Sequence, residues 1–152
     1  MSLAKAEFKI VRDVFIPLGK THLEGELIIP RGACGVVLFA HGSGSSRHSR
    51  RNKYVARTLH DSSMGTLLFD LLTKKEEEEE EKYTRHLRFD IALLAKRLSY
   101  VTNWIRKQED IQNLPIGYFG SSTGAAAALV AAAQLPDRWR CRVTRRSPRS
   151  CR

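Results

Sequence analysis

The stretch "LPIGYFGSSTGAAAALVAAA", residues 114–133, decides the fold. Its first part, Leu114–Gly120, is an apolar run closed by glycine, the pattern of a strand buried on both faces. From Thr123 to Leu135 the composition is that of a short alanine-rich helix. Between the two, Gly120-Ser121-Ser122-Thr123-Gly124 fits G-x-S-x-G in a strand–turn–helix context. To hold its Oγ at the tip of so sharp a turn, Ser122 must take a strained backbone conformation, and the residues two away on each side must nearly touch. Glycine at both places leaves room for that approach. The helix that follows offers its first N–H groups and the positive end of its dipole to a developing oxyanion. Ser122 is therefore the expected nucleophile, with Thr123 giving one oxyanion-hole N–H and Gly120 and Gly124 supporting the turn.

A second motif, "LFAHGSGSS" (residues 38–46), closes another apolar run. A His-Gly turn at the end of such a strand is where hydrolases of this architecture carry their other oxyanion donor. Ser43 is expected to supply that N–H, and Gly42 to support the turn. The same loop, "GSGSSR", has two glycines at dinucleotide-binding spacing, but the third is missing and no Gly-Lys-Ser/Thr follows. No cofactor is expected. Arg47, Arg50 and Arg51 beyond the loop read as a solvated face rather than an anion site.

Working outward, "EFKIVRDVFIPL" (7–18) and "HLEGELIIP" (22–30) alternate as meander strands. "CGVVLFAHG" (34–42) and "GTLLFDLL" (65–72) read as buried strands, with a helix through Tyr54, Val55 and Leu59 between them. Ile91, Leu94, Leu98, Val101 and Ile105 recur at three- and four-residue steps, one face of an amphipathic helix. The order is two meander strands and then βαβαβα, which predicts an α/β fold with a mostly parallel sheet and helices on both faces. Glu76–Glu81, six consecutive glutamates, predict a solvated excursion, with an active-site lid as the lesser reading.

Taken in order, "VVLFAHGSGSSRHS", "GTLLFDLLT", "LRFDIALLAKRL" and "LPIGYFGSSTGAAAALVAAA" resemble the small dienelactone-hydrolase-like branch of the α/β-hydrolase superfamily, over about residues 8–137. The resemblance implies a nucleophile–acid–base triad and hydrolysis of an ester, lactone or similar acyl bond in a small molecule. Ser122 matches the nucleophile, which is cysteine in the best-known dienelactone hydrolases. The triad partners are expected downstream, yet all five histidines (His22, His41, His48, His60, His86) precede Ser122, and only Asp137 follows it as an acid. Asp70, His86 and Asp90 read as non-catalytic. The chain is expected to turn over little or no substrate.

The net charge of +10 is unevenly placed. Residues 1–137 hold 19 Lys and Arg against all 16 Asp and Glu, whereas residues 138–152 hold seven arginines and no acid. The reading divides the chain into 1–137, the N-terminal part of one hydrolase domain missing its last strands, and 138–152, a basic tail. Cys34 stands alone in the body, with Cys141 and Cys151 in the tail, so neither a disulfide framework nor a metal site is expected. Under one permitted choice of codons, "CRVTRRSPRSC" shifted by one base translates as Ala-Val-Ser-Arg-Gly-Gly-Arg-Pro-Asp-Leu, a strand-like continuation. A frameshift is thus the preferred account of the tail, and a basic binding module the alternative. Nucleic acid is not an expected partner, because only Trp139 interleaves with the tail arginines. No apolar run spans a membrane and no secretory signal opens the chain, which points to the cytoplasm. An exposed sheet edge beside the nucleophile strand would invite self-association.

Overall fold

The computed structural model describes residues 7–83 and 86–135. The basic tail, its frameshift reading and Asp137 lie outside them. Strand β1 (Phe8–Leu18) pairs antiparallel with β2 (Thr21–Pro30). There follow β3 (Gly35–Ala40), α1 (Arg50–Asp61), β4 (Met64–Phe69), α2 (Lys74–Lys82), α3 (Ile91–Ile105), β5 (Ile116–Gly120) and α4 (Thr123–Gln134). The sheet runs β1-β2-β4-β3-β5, with β4 and β5 parallel to β3 on either side and β2 antiparallel to β4. Among the described residues β5 is therefore an edge strand.

The alternation of β3 sorts the core into two layers. Val36, Leu38 and Ala40 pack in one cluster with Leu94, Leu98, Val101 and Ile105 of α3 and Ala127 and Ala131 of α4. Val37 and Phe39 turn the other way, onto Leu68, Ala56 and Leu59. Helices thus cover both faces, and the apolar stripe expected for α3 is the buried one, with only Ile91 half-exposed. Tyr54 of α1 departs from expectation and stands 72% exposed. No helix among the described residues is long and apolar enough to cross a membrane.

The glutamate run corrects the sequence reading: it is helix α2, not a solvated excursion. Thr73 and Glu76 form a reciprocal capping box at its start. Glu76 also takes the guanidinium of Arg97 from α3, at 2.7 and 3.0 Å. One turn later Glu80, only 3% exposed, accepts the Leu87 and Arg88 amides and the Arg88 Nε. Glu78 and Glu79 face solvent. Like charges repel only where they lack partners, and the i,i+4 pair on the inner face has them. Burial alone would raise the Glu76 carboxyl, but Arg97 and the Thr73 amide more than offset it and hold it below the ordinary range.

A carboxyl held low in the folded state stabilises above its unfolded pKa, and that contribution is lost as pH falls through the folded one. Glu76→Gln should therefore cost about 1–2 kcal/mol at pH 7 in denaturant titrations, with the gap to wild type closing in acid. A gap that stays constant with pH would refute this role for the ion pair.

Candidate active site

Because β3, β4 and β5 are parallel, their C-terminal ends open on one edge of the sheet, where ligands bind in open α/β sheets. The turn after β5 begins at Gly120. Ser122 has φ 54° and ψ −126°, a left-handed conformation for a residue with a side chain. A Cβ on Gly120 would lie 2.6 Å from the Gly124 carbonyl oxygen. A Cβ on Gly124 would lie 1.9 Å from the Ala40 oxygen and 2.5 Å from the His41 oxygen. The two glycines do approach as the pattern demands, and Gly124 is also pressed against the end of β3.

The loop after β3 meets this turn from the other side. Gly42 faces Ser121 and Ser122, its Cβ position 3.2 Å from the Ser121 oxygen and 3.3 Å from the Ser122 Cβ. Neither the Ser43 nor the Thr123 backbone N–H donates a hydrogen bond within the described residues, whereas Gly124 and Ala125 already donate to Ser121 and Ser122. Ser43 and Thr123 line one cavity of about 490 Å³. Ser122, itself exposed, lines an adjoining one of about 290 Å³ together with Ser43. The residues singled out in the sequence are thus brought together at one place.

Two braces fix the loop. His41, 8% exposed, bonds Gly42 O through Nδ1 at 2.9 Å and accepts the Leu71 N–H at Nε2, 3.1 Å. That acceptor role makes Nδ1 the protonated nitrogen, so both ring nitrogens are already engaged. Arg47 is not part of a solvated face, which corrects the sequence reading. Its backbone N–H and guanidinium both reach Asp70, at 2.8 and 2.5 Å, and its other terminal nitrogen pairs with Glu24 at 3.0 Å. Asp70 is therefore a loop anchor at the end of β4. Asp90 is the N-cap of α3. His86 is exposed and lines neither cavity.

Helix α2, the run for which a lid was the lesser reading, forms a wall of the larger cavity through Glu77 and Glu81, with His48 and Arg88 beside them. Burial, then the charges of Asp70 and Glu81, raise the Glu77 carboxyl against the opposing pull of Arg47 and Arg88. Among the described residues no group of His, Cys, Asp or Glu is placed to hold a metal ion.

A dienelactone hydrolase of Anabaena variabilis is 55% identical and superposes with a TM-score of 0.75, over 81% of this chain and 57% of that one. The chain has a dienelactone-hydrolase-like α/β-hydrolase fold. The same hydrolase fold is seen in an esterase of Pyrococcus furiosus, at 23% identity and TM-score 0.65, covering 83% of this chain and 47% of that one. The Est1E protein of Butyrivibrio proteoclasticus gives 20% and 0.63, covering 80% and 45%. By sequence the chain is 53% identical over 121 residues to Mycobacterium tuberculosis proteins named "Putative phosphoribosyl transferase", covering 80% of this chain. It spans only 26% of the length of those relatives, and 57% of the hydrolase. No protein-family model matches.

Gly124→Ala should prevent the turn from closing, because the new methyl meets main-chain oxygens that cannot rotate away. We expect a loss of about 3 kcal/mol or more in denaturant melts. A variant as stable as wild type would show that α4 does not sit against β3 as described.

Proposed function

We propose that the chain carries the nucleophile and oxyanion hole of a serine hydrolase acting on esters, lactones or similar acyl bonds. The observation that carries the reading is Ser122 at φ 54°, exposed at the tip of a glycine-walled turn between the unbonded Ser43 and Thr123 N–H groups. Ser122 Oγ attacks the acyl carbonyl. The Ser43 and Thr123 amides receive the charge that develops on its oxygen, and they need no reorganisation to do so. The names of the similar proteins, dienelactone hydrolase and esterase, support acyl transfer to water as the reaction.

The serine proton needs a base. His41 has both nitrogens engaged, and no histidine among the described residues lines the cavity that holds Ser122, so the hydroxyl of this chain is a weak nucleophile. The test pairs p-nitrophenyl acetate hydrolysis with fluorophosphonate labelling mapped by peptide mass spectrometry. We expect turnover close to the buffer rate and slow labelling confined to Ser122. Hydrolysis that disappears in Ser122→Ala would keep the nucleophile and overturn the inactivity. Labelling elsewhere, or hydrolysis that survives Ser122→Ala, would overturn the nucleophile.

A further inference from the structure

The smaller cavity, on the α1 side of the nucleophile turn, has a lining that Ser122 chemistry leaves unexplained. Ser49 caps α1 by accepting the Asn52 N–H at 3.3 Å. The Arg50 and Arg51 N–H groups remain orphaned at the positive end of the helix. The first turn contains no acidic residue and instead begins Arg50-Arg51, cations where the helix dipole disfavours them. Arg47, Arg88 and Arg97 all meet carboxylates, but Arg51 has no such partner among the described residues. A charge arrangement that breaks a local rule without a structural gain is the mark of a functional site.

The second observation is Asn52. It is 5% exposed, it lines this cavity, and its side-chain amide makes no hydrogen bond among the described residues. Its amide atoms are not sealed off: they open onto the cavity, which leaves their hydrogen-bonding capacity available to a ligand there. Arg51, Ser45, Ser121 and Ser122 line the same cavity. Arg51, the amide NH₂ and the helix N–H groups are donors, and among the described residues no carboxylate lines the cavity.

We propose that this cavity binds an oxyanion, phosphate or carboxylate, between Asn52, Arg51 and the N-terminal turn of α1. Its position against Ser122 makes it a subsite for an anionic substituent of the acyl substrate. That last assignment rests on the serine-hydrolase reading, whereas the anion binding does not.

The experiment is an amide NMR titration of the full chain with inorganic phosphate and, separately, acetate, against chloride at matched ionic strength. Saturable shifts are expected at Arg51, Asn52 and Ser121, and the tighter of the two probes tells a phosphate group from a carboxylate. Asn52→Asp suits the first turn of a helix and keeps the side-chain size, so it tests the site without threatening the fold. It and Arg51→Gln should each weaken phosphate binding by about tenfold, whereas Arg50→Gln, which lines neither cavity, should change it little. The proposal is overturned if no saturable shift occurs, if the shifts centre on Ser43 and Thr123, or if both variants bind phosphate as wild type does. A chain that binds phosphate here but is never labelled at Ser122 would lose the hydrolase reading and keep the anion site.

Discussion

The contact on which the rest depends is the one between the start of α4 and the last carbonyls of β3. At Gly124 there is no room for even a methyl group, because the Ala40 and His41 oxygens already occupy its place. That closeness brings the Thr123 N–H and the Ser43 loop to a common cavity. It also forces Ser122 into a left-handed backbone conformation. The alanines of α4 serve the same end: Ala127 and Ala131 are fully buried, and larger side chains would hold the helix off the sheet.

Charge is distributed around this contact with a consistent logic. Arg47 ties the loop after β3 to the end of β4 and to β2, Arg97 ties α2 to α3, and Arg88 neutralises a carboxylate that is almost wholly buried. These arginines are engaged in holding elements together. The larger cavity is lined by Glu77 and Glu81 of α2 with Arg88 and His48 beside them, and the smaller by Arg51, which meets no carboxylate among the described residues.

Much of the scaffold was legible in the sequence, because β3, β4 and β5 announce themselves as apolar runs and α3 as a three-four stripe. The turn was legible because few backbones require glycine at both positions around a serine. The glutamate helix was not, since charge repulsion argues against order unless the partners are known. Those partners, Arg88 and Arg97, come from later segments whose approach is a tertiary event. Arg47 misled for the same reason: its carboxylates lie 23 residues away in each direction, on β2 and just after β4. Asn52 carried no signal at all, because an asparagine in the first turn of a helix is ordinary until its burial is known.

The most direct measurement is the stability of Ser122→Gly against wild type by equilibrium denaturation. If the turn forces Ser122 into a left-handed conformation, glycine relieves that strain. The variant should then be more stable by about 0.5–2 kcal/mol, after the entropy that glycine adds to the unfolded chain. An equal or lower stability would mean that Ser122 carries no strain, and the turn as described would be wrong.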